Sequence, residues 1–330
     1  MTGTEIAQNQ KEASTVLLEQ LAPIAIFAYR RPDHLRRTIE SLLHCGGFVD
    51  SPVYVFVDGP KHESERADVE ATRAVAQDLL GERAIYQFHE GNLGLSRSVM
   101  SGVEQVLAHH DRIIVIEDDL LLAPHFLRFM NEALEHFADD EAAFQVSGYL
   151  FGQPVLNEPT TALFLPMISS WGWATWKRAW QHFDPQATGW KDLRHDRRLR
   201  RRFNLDGTYD YATMLLRQMT GKGDSWAIRW YWSVFKANGL VLYPPRSLVS
   251  NTGLDGSGTH GSGRLRRIVH GNPAGLSPAA IQLPTSVGLN SESFESVKDA
   301  LRWQNGRLLA RAVDKLRWIW AVLASYGTAR

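Results

Sequence analysis

The chain has 330 residues, with 44% hydrophobic and 22% charged side chains, which is long and apolar enough for one large α/β domain or two smaller ones. Its 36 basic and 36 acidic side chains leave a formal net charge of zero, so no global electrostatic attraction indicates a nucleic-acid partner. The single cysteine, Cys45, excludes an intramolecular disulfide and a zinc site built from cysteines.

The first half of the chain predicts strands that alternate with helices. After a flexible lead-in over residues 1–22, a short apolar run at 23–29 predicts a first strand. Apolar side chains at helical spacing then predict a helix from Asp33 to Leu43. The alternation continues with strands at 53–57, 84–88 and 113–116 and with helices at 63–80, 96–109 and 124–137. Strands joined by helical crossovers predict a mostly parallel, doubly wound sheet.

Polar side chains follow each of the four predicted strands. They are Arg31, Asp58, Asn92 and the run Glu117-Asp118-Asp119. Because the carboxyl ends of parallel strands meet along one edge of an open sheet, where ligands bind, we expect these side chains to converge. Three adjacent carboxylates repel one another, and a hard cation such as Mg²⁺ or Mn²⁺ would relieve that repulsion through oxygen ligands. For the acidic run alone, a charged loop that caps the following helix is an equally good explanation.

Two common phosphate-binding motifs do not follow the first predicted strand. The chain there reads Arg30-Arg31-Pro32, which is neither the Gly-x-Gly-x-x-Gly turn of dinucleotide-binding folds nor the Gly-x-x-x-x-Gly-Lys-Ser/Thr loop of P-loop proteins. A nucleotide bound at this sheet edge would therefore have to use the acids, a metal ion and the basic side chains of the strand-end loops.

The second half of the chain is less regular and rich in aromatic side chains. Strands are predicted at 143–147 and 240–245. Between them, Gly172 would allow a close backbone approach, and Trp171 or Trp173 could stack on a sugar ring or exclude water. Tryptophan also fills hydrophobic cores, so packing is the alternative explanation for these rings.

Two polar segments of the second half each have two explanations. The densely basic segment 194–202 is by default a solvated helix face, and the sharper alternative is a surface for an anionic acceptor, such as a lipid pyrophosphate, or for the membrane. Asp224 lies in a glycine-flanked turn before an aromatic helix near Trp226, where an acid could simply cap the helix.

The last part of the chain predicts a glycine-rich loop, a tail and a helix. The loop at 251–261 contains His260, whose imidazole suits Mn²⁺, although a lone loop histidine is usually not a ligand. Residues 264–300 contain three prolines and predict a tail. An apolar stripe between Leu301 and Leu323, with basic side chains on another face, predicts a helix that contacts a membrane surface, docks on the domain or forms a dimer contact.

The ordered set of motifs resembles glycosyltransferases of the GT-A fold. Within that group it is similar to bacterial relatives of the N-acetylglucosaminyltransferase I family, often placed in glycosyltransferase family 2. The likeness is carried by Val115–Leu120 with Ala123–Phe126, Asn92–Arg97, Ser169–Trp176 and Asn251–His260. It extends over about residues 23–262 and implies a nucleotide-sugar half at 23–142, an acceptor and catalytic half at 143–262, and a C-terminal tail with an amphipathic helix at 263–330.

The resemblance implies roles for individual side chains. Asp119 would be the direct metal ligand, and His260 would complete the shell of a Mn²⁺ or Mg²⁺ ion. Asp224 would be the catalytic base, although some relatives place an acid after the tryptophan, where this chain has Ala227. The nucleotide-sugar donor would contact Ala28, Tyr29, Arg31, Asp58, Asn92, Arg97, Glu117 and Asp118. The donor sugar and acceptor would contact Trp171, Gly172, Trp173 and Trp226.

Two of these assignments have an alternative. Arg30 could take the place of Arg31, because the register at the end of the first strand allows either. Arg97 could contact a diphosphate oxygen, or it could be a surface arginine in the first turn of a helix.

The implied activity is an inverting, metal-dependent transfer of a hexosyl or N-acetylhexosaminyl group from a UDP-sugar to a hydroxyl of a glycan or glycolipid, as in bacterial polysaccharide biosynthesis. Two alternatives stay open. A metal-dependent nucleotidyltransferase also needs carboxylates but usually adds a basic, glycine-rich phosphate loop near the N-terminus. A non-catalytic glycan-binding domain could keep the fold, but it has no need of the acids.

The sequence also predicts where the protein resides. Residues 1–20 are polar and carry acids, without the apolar stretch of a signal peptide, and no uninterrupted apolar run reaches transmembrane length. We therefore expect a cytoplasmic protein, whose C-terminal helix could contact the inner face of the membrane or a second copy of the chain.

Overall fold

The structure, a computed structural model, describes residues 21–151, 154, 156–253 and 281–304. The strands in this part are β1 (Ile24–Ala28), β2 (Val53–Val57), β3 (Ala84–Phe88), β4 (Arg112–Glu117), β5 (Leu120–Leu122), β6 (Ala143–Ser147), β7 (Leu163–Leu165), β8 (Trp173–Trp176), β9 (Leu240–Tyr243) and β10 (Val249–Asn251). The α-helices are α1 (Pro32–Leu43), α2 (Arg66–Leu80), α3 (Leu95–Leu107), α4 (Phe126–His136), α5 (Lys177–Trp180), α6 (Arg197–Phe203), α7 (Tyr211–Met219), α8 (Trp226–Lys236) and α9 (Ser291–Gln304).

An eight-stranded sheet in the order β3-β2-β1-β4-β8-β6-β9-β7 organises the molecule. Its first four strands run parallel, whereas β8 pairs antiparallel with both β4 and β6, and β7 pairs antiparallel with β9. The predicted α/β class, with a mostly parallel sheet, an irregular second half and a C-terminal helix, is confirmed. Because β1 to β4 are parallel, their carboxyl ends share one edge, and the polar side chains predicted to follow these strands lie there.

The core lies on both faces of this sheet. All five residues of β1 and the four residues Ile113 to Ile116 of β4 are buried, as expected for parallel strands that are covered by helices on both sides. Their apolar, largely β-branched sequences suit such strands. Helix α3 packs against β1, β2 and β4, and its N-terminus therefore reaches the edge where those strands end.

Gly102 lies on the face of α3 that meets the sheet. A Cβ at this position would lie 2.5 Å from the ring of Phe27 and 3.2 Å from that of Phe56. Those two rings stack 4.8 Å apart, so neither can withdraw without disturbing the other. Close packing therefore requires glycine at a helical position where alanine would otherwise be preferred.

We expect Gly102→Ala to lower the free energy of unfolding by about 1–3 kcal/mol, because the added methyl group must displace two buried rings. Urea denaturation measures the change. Ser101→Ala, at the neighbouring exposed position of the same helix, is the matched control and should leave the midpoint within about 0.5 kcal/mol. A Gly102→Ala protein as stable as the native one would contradict the packing described here.

Four short strands were not predicted from the sequence. Strands β5 and β10 form a separate antiparallel pair, and β7 and β8 add to the main sheet. Each has only three or four residues, so none shows a clear period-two pattern, and each is defined by a partner far away in the chain. The stretch around Trp173, which was predicted to line the site, therefore lies largely inside the sheet.

The C-terminal segment is more ordered than predicted. The prediction of a tail up to residue 300 is wrong for 291–300, because α9 begins at Ser291. The Lys298 ammonium group lies 2.9 Å from a carboxylate oxygen of Asp206, which connects this helix to the turn after α6, and 2.6 Å from one of Glu295 in the same helix. Most of the predicted stripe between 301 and 323 lies outside the described residues. In the part that is described, no helix combines the length and the apolar character needed to cross a membrane.

Candidate functional site

The acidic run lies in a tight turn between two strands. Glu117 ends β4, Asp118 and Asp119 are buried, and β5 begins at the next residue. Two contacts from the first strand and first helix fix this turn. The Tyr29 amide N–H donates to Asp118 Oδ2 at 3.3 Å, and the Thr38 hydroxyl donates to the Asp118 carbonyl oxygen at 2.7 Å. The carboxylates are therefore held at the end of β4 rather than extended into solvent.

Arg31 is the cation that the structure places beside these acids. Its Nη2 pairs with Asp118 Oδ1 and lies 3.0 Å from Asp119 Oδ2. Arg30 instead faces Glu65 at 3.5 Å, and nearly half of its side chain is exposed. Between the two arginines that the sequence left open, Arg31 is thus the one at the acidic turn.

One positive charge does not neutralise three carboxylates. Burial and the charges of Asp119 and Asp118 raise the pKa of Glu117 to about 8. Burial also raises the pKa of Asp118 to about 6, against the opposing effect of Arg31. The turn therefore favours a further positive charge, and a divalent cation is the simplest group that supplies one.

The described part of the turn offers carboxylates to a metal ion but does not enclose one. Among the residues that the structure describes, no three His, Cys, Asp or Glu side chains are arranged to hold an ion. Mg²⁺ commonly binds one or two carboxylates, water and substrate phosphate oxygens, and Asp119 can supply one such carboxylate. The second predicted ligand, His260, lies outside the described residues.

We expect the metal-free protein to lose stability as the pH rises from about 5 to about 8. With its pKa raised to about 8, Glu117 keeps a proton in the folded state that the unfolded chain releases, so rising pH favours unfolding. Denaturation at several pH values measures this slope. Glu117→Gln should flatten it, whereas Glu104→Gln, at an exposed position of α3, should not. If Glu117→Gln left the pH dependence of stability unchanged, the raised pKa of Glu117 would be contradicted.

The β5–β10 pair brings the glycine-rich loop to the acidic turn. The Asn251 side-chain amide donates to Asp119 Oδ1 at 3.3 Å, and the Thr252 N–H donates to the Asp119 carbonyl oxygen at 2.8 Å. A Cβ at Gly253 would lie 2.1 Å from Asp119 Oδ2 and 2.9 Å from Arg31 Nη1, so a larger residue there would displace the Asp119 carboxylate. The segment that leads towards His260 therefore starts in contact with the predicted metal ligand.

Asp58 and Asn92 connect the ends of β2 and β3. The buried Asp58 carboxylate accepts backbone N–H groups of Leu93 at 2.8 Å and Gly94 at 2.9 Å, and the Asn92 amide donates to the Gly59 carbonyl oxygen at 3.0 Å. We call residues 92–94 the donor loop. The described contacts of Asp58 and Asn92 shape this loop, and their contact with a nucleotide stays a prediction.

The remaining predicted nucleotide contacts differ in exposure. Ala28 is buried at the end of β1, and the Tyr29 hydroxyl bonds to Glu65 and accepts the Lys61 N–H at 3.0 Å. Arg97 is exposed in the first turn of α3, which agrees with the surface-arginine alternative and also leaves it accessible to a ligand. Binding of the donor by these side chains stays a prediction.

The predicted base lies beside the donor loop. Asp224 is exposed, and its Oδ2 lies 3.2 Å from the position that a Cβ would occupy at Gly94. Ser225 caps α8 by accepting the Ile228 N–H at 3.4 Å, so the alternative that Asp224 is the cap is wrong. Ala227, where some relatives would have an acid, lies in the first turn of α8.

Two of the tryptophans predicted to contact sugar are buried. Trp173 is fully buried and Trp226 is 2% exposed, and their rings stack 4.9 Å apart in the core. The structure therefore corrects that prediction to a packing role, because a sugar could reach either ring only after the core rearranged. Trp171 is partly exposed and packs edge-on against Tyr149 at 4.4 Å, so it is the accessible ring of the three.

Gly172 allows a close approach to its backbone, but the neighbours are side chains of the protein itself rather than a sugar. Its φ of +60° lies in the left-handed region that favours glycine. A Cβ there would lie 2.9 Å from Val249 and 3.0 Å from Phe126. The glycine therefore lets β8 pack against β10 and α4.

The chain is similar to known proteins in sequence and in structure. The model of a family described as "Glycosyltransferase like family 2" matches residues 22–187. A solved structure of the galactosyltransferase LgtC with donor and acceptor sugar analogues is 14% identical, covers 67% of this chain and 72% of its own, and has a TM-score of 0.34.

Two further solved structures have similar values. A nucleotide-diphospho-sugar transferase described from Desulfovibrio desulfuricans G20 is 12% identical over 52% of this chain and 68% of its own, with a TM-score of 0.33. A CMP:2-keto-3-deoxy-manno-octonic acid synthetase complexed with CTP is 14% identical over 49% of this chain and 76% of its own, with a TM-score of 0.30.

Proposed function

Because the chain belongs to the family described as glycosyltransferase like family 2, we propose that it is an inverting, metal-dependent glycosyltransferase. It would move a sugar from a nucleotide-diphosphate donor, with UDP as the nucleotide, to a hydroxyl of a glycan or glycolipid. The narrower parts of the resemblance stay predictions: the relation to the N-acetylglucosaminyltransferase I family, the hexosyl or N-acetylhexosaminyl group, the domain limits at 23–262 and a role in bacterial polysaccharide biosynthesis.

One observation carries the proposal. The acidic turn, the candidate base Asp224 and the donor loop all lie at the same edge of the sheet. Arg31 and Asn251 contact the acidic turn from two distant parts of the chain, and Asp224 reaches the donor loop at Gly94. A sugar transfer needs charge stabilisation on the leaving side and a base on the opposite side of the anomeric carbon. We assign Arg31 and the acids to the first role and Asp224 to the second.

On the leaving side, Asp119 would hold Mn²⁺ or Mg²⁺, which supplies positive charge for the departing diphosphate. Arg31 would donate N–H groups to the same charge, because its guanidinium already lies at the acidic turn. Glu117 and Asp118 would accept hydrogen bonds from the donor's sugar and ribose hydroxyls. These contacts orient the donor, and burial of the turn strengthens each of them.

On the acceptor side, Asp224 would take the proton of the attacking hydroxyl. The acceptor oxygen would form its bond to the anomeric carbon as the bond from that carbon to the phosphate oxygen breaks. A single displacement of this kind inverts the anomeric configuration, and the nucleoside diphosphate leaves with the bonding electron pair. Trp171, whose ring is partly exposed, would be the tryptophan that an incoming sugar could contact.

A thermal-shift screen of nucleotide sugars with and without Mn²⁺ tests this function. A ligand at about 100 times its dissociation constant stabilises the folded protein by about 2.7 kcal/mol, which raises the midpoint by several degrees. We expect a UDP-sugar to produce this shift only with Mn²⁺, and slow metal-dependent hydrolysis of the same donor. Glycan binding together with no shift and no hydrolysis for any nucleotide sugar, or release of pyrophosphate from a nucleoside triphosphate and a sugar phosphate, would contradict the proposal.

A further inference from the structure

Arg229 connects the two halves of the chain at the candidate site. It lies in the second turn of α8, and its guanidinium donates to the Ser96 hydroxyl in the first turn of α3. The same group donates to the Ser225 carbonyl oxygen at 3.2 Å and lies 3.5 Å from the Pro185 carbonyl oxygen. One planar cation therefore joins α3, the residue that caps α8, and the segment after α5.

These contacts surround the residues that place Asp224. Asp224 directly precedes Ser225, whose carbonyl oxygen Arg229 holds, and its carboxylate lies against Gly94, two residues before Ser96. The Arg229 side chain is half-buried, and burial lowers its pKa whereas the charge of Asp224 raises it. The guanidinium is therefore close enough to Asp224 for their charges to interact.

We propose that Arg229 is a positioning residue that holds the Asp224 carboxylate against the donor loop. The inference rests on the proposed function, in which Asp224 is the base. A proton acceptor must stay within hydrogen-bond reach of the hydroxyl it serves, and a displacement of about 1 Å can cost about 100-fold in rate. Asp224 is exposed, with glycines on the preceding side, so it needs an external support of this kind.

The contacts of Arg229 also connect Asp224 to the part of the chain that would bind the donor. Ser96 follows the donor loop, whose backbone N–H groups bind Asp58 at the end of β2. Arg229 therefore connects the Asp224 segment, through Ser96 and the donor loop, to the end of β2. The nucleotide sugar would bind at that end. An arginine fork suits this task better than a lysine, because several N–H groups in one plane can serve acceptors on different segments.

Steady-state kinetics of Arg229→Met test the inference. We expect kcat to fall about 10- to 100-fold while donor affinity with Mn²⁺ stays within about twofold, with partial recovery in Arg229→Lys. Ser96→Ala, which removes only one acceptor of the guanidinium, should lower kcat in the same direction but less. Arg128→Met, at an exposed position of α4, is the matched control and should leave kcat unchanged. Equal kcat in Arg229→Met and the native enzyme would overturn the inference.

A double-mutant cycle separates positioning from general destabilisation. If Arg229 acts through Asp224, Arg229→Met should cost nothing further in an Asp224→Asn background. A full 10- to 100-fold additional loss in that background would overturn the positioning role while leaving the proposed base intact. If Asp224→Asn alone leaves kcat unchanged, the base assignment itself fails, and the inference falls with it.

Discussion

Replacing Asp119 by asparagine is expected to abolish metal-dependent sugar transfer while leaving the fold intact. Its carboxylate would be the direct metal ligand, and it is the acid that the β10 segment contacts. Loss of one group that stabilises transition-state charge typically costs about 10²–10³-fold in rate, and loss of the metal itself should cost at least as much.

The fold should survive this change for electrostatic reasons. The charge of Asp119 raises the pKa of Glu117, so removing that charge relieves repulsion within the acidic turn. Asparagine keeps a side-chain oxygen that can still accept from Arg31, and the backbone contacts of Thr252 with residue 119 do not depend on the side chain. We therefore expect an unfolding midpoint at or above that of the native protein.

Two measurements test the effect of Asp119→Asn. One is the rate of sugar transfer across a manganese titration, and the other is calorimetric binding of Mn²⁺ in the presence of UDP. Asp111→Asn is the matched control, because Asp111 is an exposed acid at the opposite end of β4. It should bind the ion and transfer sugar at the native rate. Unchanged transfer by the Asp119→Asn protein would remove the metal role from this residue.

Replacing Asp224 by asparagine is the second change with a large expected effect. General-base catalysis contributes about 10²–10⁴-fold, so kcat should fall by that factor. Donor affinity should stay unchanged, since the Asp224 carboxylate lies near Gly94 of the donor loop, whereas the acids proposed to bind the donor lie in the turn after β4. The decisive measurement compares kcat with the dissociation constant of the UDP-sugar–Mn²⁺ complex. A variant that only binds donor more weakly would place the base elsewhere.

Ala227 offers a direct control for the position of the base. Some relatives are expected to carry an acid here, and Ala227 lies in the first turn of α8, three residues after Asp224. If the site accepts a carboxylate from either position, Ala227→Asp should restore part of the activity of the Asp224→Asn protein. Ala227→Asp alone should leave the native rate within a few-fold, and restoration without Asp224 would show that the reaction requires a base in this turn.

The regular half of the fold could be predicted because its signals are local. Strands β2, β3 and β6 were predicted with the limits that the structure has, since each is a five-residue, mostly apolar run with aromatic or β-branched side chains. Alternation with helices then fixed the parallel topology and placed the polar strand ends at one edge. The gathering of Arg31 and the acids follows from that topology, as β1 and β4 are neighbours with Phe27 opposite Glu117.

Other contacts had no local signal. Asn251, Thr252 and Gly253 were recognised as part of a loop, but their contact with Asp119 depends on the pairing of β5 with β10. Nothing in the sequence near Ser96 indicates Arg229. Trp173 shows the opposite error: an aromatic residue beside a glycine suits a sugar site, yet insertion of β8 between β4 and β6 buries the ring.

The most direct measurement of the central claim is anomalous X-ray diffraction from a crystal of the protein with UDP and Mn²⁺. The account predicts a manganese peak within about 2.0–2.6 Å of an Asp119 carboxylate oxygen, the range for oxygen ligands of hard cations, and in contact with the diphosphate. A manganese peak remote from Asp119, or UDP bound away from the carboxyl ends of β1 to β4, would contradict it.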